Sequence, residues 1–518
     1  MVIIILDKKL KNNSDILIAA ESLFSLIGVP YRITYNFEDK DIDKCPLLIT
    51  YGNLKNHPGK NVLTIPNQNE DKTKLIRKIL IKKTAEFTYA LNFDILKLFS
   101  DLVLKNRNHL LNGYVVKSTE SKDKFDNLFL MQAIKALSDY IIKLHLSQNF
   151  PLIQKCYWPE GKTFAGCLTH DVDAPFKYNL LGSLIEIKKS IKCLFNFDIK
   201  GFLKVQMGML KYLISRQDPY FQFENWINLE GKLGFKSSFY FCSKRRHKLD
   251  PYYDIKKLKH VMETLSKKGF EVGLHGSYTS YTDKNKLLEE IQIIEKLSKK
   301  KILGGRQHFL NFSFPVTWTA QAGAGLQYDS TLGYNNNIGS KNGLYFPFNI
   351  QIKNKDSGLV EIPMIIMDGA LFSLKIKNHW EITEEFFDRV RELNGLLTIN
   401  WHDRVFHDED FPGWGDAYIH ILSYFKDNGA YVDTADNIAK WHTERESLDI
   451  YCKYENPKKV SFIFRSKKNI DKTYIYLHSN NNTKIHTSIS HKIIKNPNRI
   501  IIKLFNIRKN IQYSLSVD

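Results

Sequence analysis

The stretch Phe164-Ala-Gly-Cys-Leu-Thr-His-Asp-Val-Asp-Ala-Pro175 constrains this chain more than any other. An apolar run that can sit as a buried strand ends in Asp171 and Asp173, and Pro175 stops the strand from continuing. Positions two apart on a strand face the same side, so both carboxylates are expected to meet at the strand's C-terminal end. Barrels and open α/β sheets place their chemistry at that end. Two carboxylates so close repel unless a metal ion or a shared proton relieves them. The plainer alternative is a polar strand end in which one Asp caps a helix and the other is solvated.

Around this strand the pattern from about residue 156 alternates strand and helix. A long insertion, Tyr178–Arg216, has the apolar spacing of two helices. Helical Asn225–Leu233 leads into the strand Ser237–Cys242, and the helix Ile255–Lys268, closed by Gly269, leads into Phe270–Leu274. The helix Lys284–Lys299, the strand Gly304–Phe309, the short helix Pro315–Ala324 and the late strand Leu396–Trp401 continue the alternation, which implies a mostly parallel sheet, closed into a barrel or wound open.

At 518 residues the chain is too long for one ordinary core, and three units are expected: 1–150, 156–445 and 446–518. The first reads as a small α/β accessory domain, with strands Val2–Leu6, Tyr31–Tyr35 and Pro46–Tyr51 and helices Ser14–Ile27, Phe87–Leu104 and Leu128–Leu146; it has no G-x-G-x-x-G and no P-loop. The last loses the helical period. Val460–Arg465, Thr473–Ser479, Lys484–His491, Arg499–Phe505 and Gln512–Val517 read as strands of a small β-sandwich, with Asn480–Asn482 as one of its turns.

The six cysteines are scattered with no C-x-x-C pair, which argues against a disulfide framework and against a thiolate zinc site. The N-terminus has too few apolar residues for a signal peptide, and no apolar run approaches the roughly 18 residues of a membrane helix. A cytoplasmic protein is the expectation. A net charge of +20 invites a nucleic-acid reading, but Lys is spread with Asn and Ile over the whole chain rather than gathered on one basic helix, and no nucleic-acid partner is expected. Residues 446–518 carry 14 Lys/Arg against 5 Asp/Glu, so contact with an anionic surface is expected there if anywhere.

Three further segments end like the first. Phe270-Glu-Val-Gly-Leu-His-Gly-Ser-Tyr278 delivers His275; Gly304-Gly-Arg-Gln-His-Phe-Leu310 delivers Arg306 and His308, two apart; Leu396-Leu-Thr-Ile-Asn-Trp-His-Asp403 delivers His402. Any one of these histidines alone reads as a satisfied core or surface residue. Four strand ends of one alternating unit finishing in Asp, His or Arg are a much less probable accident.

Together, Thr169-His-Asp-Val-Asp173, Gly273-Leu-His-Gly-Ser277, Arg306-Gln-His-Phe309 and Leu397–His402 resemble the motifs of the polysaccharide deacetylases with a NodB-homology domain, carbohydrate esterase family 4. The resemblance spans roughly 160–440 and is closest to a large bacterial subgroup with an added N-terminal domain, associated with surface-polysaccharide gene clusters. It implies an irregular (β/α)7-type deacetylase barrel. By the same resemblance Asp171 is the general base, Asp173 and His275 bind a divalent metal, zinc first among the candidates, Arg306 orients the base and His402 protonates the leaving group. The family's second metal-binding histidine would fall at Thr279. A zinc-like ion wants three protein ligands, and the reading adopted is that His308 supplies the third; the alternative is that the metal is gone and His308 packs beside Arg306.

Trp318, Tyr328, Asp329, Trp401 and Trp414 are the residue types that stack on and hydrogen-bond to sugars, and each reads equally well as core. Asp368, after the apolar run Ile362–Met367, is a candidate partner of His402 or a helix cap. The expected activity is metal-dependent hydrolysis of N-acetyl, or less readily O-acetyl, groups on a carbohydrate or polysaccharide precursor. The second reading is a metal-free glycan-binding or scaffold protein on the same fold.

Overall fold

A computed structural model describes the chain except residues 9, 11–13, 36–41, 53–59, 68–80, 86–87, 107–127, 375–378, 457–458, 481–483, 497–498 and 518. The sheet that carries the strand Ala165–Val172 has ten strands. Its order runs Phe348–Ile352, Lys355–Glu361, Tyr328–Asp329, Gly304–Gln307, Glu271–Gly276, Ser237–Phe241, Ala165–Val172, Leu396–Asn400, Ile366–Met367, with Tyr431–Asp433 added beside Ala165–Cys167. All neighbours are parallel except the Phe348–Glu361 hairpin. The path begins and ends on different strands, so among the described residues the sheet curls without closing into a full barrel.

Parallel pairing is what gathers the polar strand ends. Asp171 lies opposite Tyr240, His275 opposite Arg306, and Asn400 opposite Thr169, so residues distant in sequence emerge at one rim. Ala165–Val172 is buried along its whole length, as a central strand covered on both faces must be. His170, on the face opposite Thr169 and Asp171, is satisfied below the rim: Nδ1 meets the Trp401 carbonyl at 2.8 Å and Nε2 the Glu230 carboxylate at 2.9 Å. The insertion is a pair of helices, Leu180–Phe195 and Ile199–Ser215.

The first 104 residues build a second sheet, ordered Tyr31–Thr34, Val2–Ile5, Leu47–Tyr51, Asn61–Ile65, Thr88–Leu91, Ile81–Ala85. The helix expected over 87–104 is therefore shorter: Thr88–Leu91 pairs with Val62–Thr64, and Asp94 then caps a helix at Ile95–Phe99 by accepting the Lys97 N–H at 2.9 Å. Apolar spacing alone could not separate a buried strand from the helix after it, and Phe87 lies outside the described residues.

The chain's end forms two four-stranded sheets. One includes Leu448–Asn456, and the stretch 484–491 divides into Ile485–Thr487 and the start of His491–Asn496, one in each sheet. The other sheet borrows Leu152–Lys155, which precedes the central sheet in sequence and pairs with Ile475–His478. Asn481 and Asn482 of the expected turn lie outside the described residues. All six cysteines are free thiols.

A buried ionic cluster ties these parts together. Arg445, 1% exposed, donates to the carbonyls of Cys156, Ser25 and Leu26 and to Glu446, while Lys155 donates to the carbonyls of Arg445 and Leu448. Burial raises the Glu446 pKa, but Lys155 and Arg445 outweigh it and hold it near about 2, against 4.5 for a free Glu. A depressed carboxylate contributes stability above its unfolded pKa and loses it as pH falls toward the folded one. The shift corresponds to about 3 kcal/mol. Glu446→Gln is therefore expected to unfold about 3 kcal/mol more easily at pH 7, with the gap to wild type narrowing between pH 4.5 and 2 in denaturant titrations.

Candidate functional site

Asp171 is 3% exposed, and its two oxygens accept from different donors: Oδ1 from Arg306 Nη1 at 2.8 Å and Oδ2 from Asn400 Nδ2 at 2.8 Å. Burial favours its neutral form, but Arg306, His275 and His402 outweigh burial and keep its pKa below the ordinary value. Arg306 is itself immobilised. Its Nε donates to the Ser330 carbonyl at 2.8 Å, Nη2 to Ser330 Oγ at 3.0 Å and Nη1 also to Thr169 Oγ1 at 3.0 Å. A guanidinium fixed on three sides presents its charge to Asp171 in one geometry.

Asp173 stands one residue past the strand. Its Oδ1 is buried and lies 3.3 Å from His275 Nε2 and 3.7 Å from His308 Nε2. The ring of His275 reaches the Arg306 carbonyl through Nδ1 at 3.1 Å. A carbonyl only accepts, so Nδ1 carries a proton, and Nε2 is the atom turned toward the carboxylate, able to donate to it as an imidazolium or to bind a cation as a neutral ring. In the neutral form the Nε2 lone pair and the carboxylate repel at this distance unless a cation sits between them. Ligand atoms around a tetrahedral zinc, each about 2.0–2.1 Å from it, lie about 3.3 Å apart, close to the separations found. Asp173, His275 and His308 form the three-residue group suited to a metal among the described residues, with all ligand atoms within 4.8 Å of one another. Burial raises the Asp173 pKa, but a hydrogen bond from His275 and the positive charge of His402, His275 and His308 in their protonated forms outweigh it and hold it far below the carboxylate range, so it stays an anion.

His308 occupies this position through a local turn. The strand Gly304–Gln307 ends one residue earlier, and Phe309 takes a left-handed φ of 59°. His308 is thus a strand-end residue rather than a continuation of the strand. Behind it stands Asp250, 3.5 Å from Nδ1 and fixed by the N–H groups of Arg246, His247 and Tyr278.

On the other side of Asp173, His402 Nε2 lies 3.5 Å from Oδ2. Its Nδ1 donates to Asp368 at 2.8 Å, and its backbone N–H donates to the same carboxylate at 2.7 Å. Burial works against charge on the ring, but Asp368 and then Asp173 outweigh it and push the pKa up to about 9. Asp368 is fully buried and is the first residue of the short helix Asp368–Ser373.

The structure thus brings Asp171, Asp173, His275, Arg306, His308, His402 and Asp368 to one rim. Four of the five expected sugar-binding residues are buried instead. Trp318, Tyr328 and Trp401 are at most 2% exposed: Trp318 donates to Glu361, Tyr328 to Glu271, and Trp401 to the Trp414 carbonyl. Asp329 is buried and accepts from Gln321 and Thr331. Trp414 is half-buried and stacks on Phe372 with ring centroids 4.7 Å apart. The first four are core residues, and their burial leaves the two buried tryptophans and Tyr328 nothing to offer a sugar.

Two members of the site were missed from the sequence. Asn400 precedes Trp401-His402 by position alone, and its alternation with His402 on the strand was the available signal. Asp250 lies in a loop with no periodicity to mark it.

No protein-family model matches the sequence, and no curated protein does. In structure, the chain is similar to polysaccharide deacetylases. A Mycobacterium smegmatis protein assigned as a polysaccharide deacetylase matches at 16% identity and a TM-score of 0.37, over 55% of this chain and 92% of that one. PuuE allantoinase matches at 16% and 0.38, over 56% and 93%. A wild-type CE4-family pseudoenzyme from Bacillus anthracis matches at 11% and 0.29, over 54% and 66%.

Proposed function

We propose that this protein is a metal-dependent hydrolase that removes N-acetyl groups, or less readily O-acetyl groups, from a carbohydrate, in the making of a surface polysaccharide. The observation that carries the reading is the convergence of the buried Asp173 oxygen with the Nε2 atoms of His275 and His308, one oxygen and two nitrogen donors within 4.8 Å of one another. Asp173, His275 and His308 would hold the ion, most suitably Zn²⁺ given one oxygen and two nitrogen ligands. A divalent ion there supplies Lewis-acid polarisation of an acyl oxygen and lowers the pKa of water.

The chain's own groups supply the proton transfers. Asp171, anionic and fixed by Arg306 and Asn400, keeps free lone pairs and is placed to take a proton from attacking water. Arg306 limits how far the base can turn. His402 keeps its Nδ1 proton on Asp368 and carries a second on Nε2 at neutral pH, ready for the departing amine. Base and acid thus differ by environment: one carboxylate is held ionised by a guanidinium, and one imidazole is held protonated by a carboxylate.

Acetate release from a panel of N-acetylated sugars and nucleotide-sugars, with and without chelator, tests the reading. Release that chelator abolishes and Zn²⁺ restores is expected; no release from any member would favour the metal-free glycan-binding alternative. Asp368→Asn is expected to lower kcat by roughly 10²–10³-fold. Because Asp368 raises the His402 pKa, the alkaline limb of the kcat–pH profile should move to lower pH. A profile that keeps its limb would remove His402 from the acid role.

A further inference from the structure

Fifteen of the 25 exposed large apolar side chains among the described residues lie between Leu180 and Ile214, so the apolar surface is concentrated on one helical hairpin. In the helix Leu180–Phe195 the residues Leu180, Leu184, Ile187, Ile191 and Leu194 recur at the spacing of a helix face made for burial, yet all are exposed. The helix Ile199–Ser215 repeats the pattern with Ile199, Leu203, Met207, Leu210 and Ile214. At the tip, Phe195 and Phe197 are 81% and 91% exposed.

The packed side of the hairpin is small and largely polar by contrast, with Val205 the buried residue of the second helix. Glu186 and Ser190 are the buried residues of the first helix, and Gln206 Nε2 donates to Ser190 Oγ at 2.7 Å. The hairpin is inside out for water. An apolar face this large requires a covering.

Charge selects the covering. Residues 180–216 hold seven Lys/Arg against two Asp/Glu, and Lys188, Lys192, Lys200, Lys204 and Lys211 flank the two apolar stripes. A second copy of this chain would bring the same excess of positive charge against itself across a two-fold interface. An anionic lipid surface accepts both the apolar stripe and its lysine border. At 16 and 17 residues, each with lysines, the helices are short for a span of about 20 apolar residues, and among the described residues no helix is long and apolar enough to cross a membrane. They suit lying in the interface instead.

We propose that the hairpin Leu180–Ser215 docks the protein on the surface of an anionic lipid bilayer. Its base would hold the catalytic rim near that surface. Lys177 and Lys189 pair with Asp410, eight residues after His402, and Asp218 caps the entry by accepting the Lys177 and Tyr178 N–H groups. The docking rests on the hairpin alone and stands whether or not the rim hydrolyses an acetamide.

Flotation of the full-length protein with vesicles of phosphatidylcholine, alone or mixed with phosphatidylglycerol, tests it. Binding to the mixed vesicles that weakens with salt is expected, with phosphatidylcholine alone at least about tenfold weaker. The variant Leu184→Gln, Phe195→Ser, Phe197→Ser, Leu210→Gln changes four exposed positions and should lose flotation at unchanged circular dichroism. Lys188→Gln, Lys192→Gln, Lys200→Gln should weaken partitioning by about two orders of magnitude. Wild type that stays with the soluble fraction would overturn the proposal, as would equal flotation of the apolar variant. So would a wild-type dimer in sedimentation that the apolar variant converts to monomer with no vesicle capture, since the covering would then be a second copy.

Discussion

Asp171→Asn is expected to lower acetate release by about 10³-fold or more while leaving the metal content of the protein unchanged. The substitution keeps the size of the side chain and an oxygen for Arg306 Nη1, but the amide has no basic lone pair to take a proton from water. Asp171 is not among the three residues grouped around the candidate cation position, so the loss should appear in kcat. Its neighbour Asn400 can turn its own amide to meet the new one, which limits the structural cost. If the variant kept activity within about tenfold of wild type, another group would be taking the proton and the placement of the base would be wrong.

His308→Ala is expected to strip the metal. Two protein ligands hold a zinc-like ion poorly where three hold it well, and the variant should lose its ion on dialysis and its chelator-sensitive activity with it. His308 is 6% exposed, and its Nδ1 reaches Asp250 at 3.5 Å, so truncation removes a ligand together with one long contact behind it. Asp250→Asn, which changes only the group behind the ring, should weaken metal affinity by about 10–100-fold. Equal metal in wild type and His308→Ala would mean that His308 merely packs beside the site. The two variants separate the roles: one removes the base and keeps the ion, the other removes the ion and keeps the base.

Much of the rim was legible because strand geometry is strict. The period of two predicts that Asp171 shares a face with Thr169, and the alternation of strands and helices predicts parallel neighbours whose C-terminal ends coincide. The approach of His308 to Asp173 and His275 was legible for the same reason, although the turn at Phe309 that sets its ring was not. Asp250 was invisible because a loop position has no period. Trp318, Tyr328 and Trp401 failed as sugar platforms because a tryptophan or tyrosine near a strand end is equally a core residue, and sequence cannot tell which ring faces are covered. The strand Leu152–Lys155 was missed because its partners, Ile475–His478, lie more than three hundred residues away. The hairpin's spacing announced two helices correctly, but the same spacing normally means burial, and only the packed polar side reveals that its apolar stripe faces outward.

Anomalous diffraction at the zinc edge, from crystals of protein supplied with Zn²⁺, tests the central claim most directly. The expected result is one strong peak about 2.0–2.2 Å from the Asp173 carboxylate and from the Nε2 atoms of His275 and His308. A zinc-supplied crystal with no peak between those three side chains, or with His308 turned away from one, would contradict it.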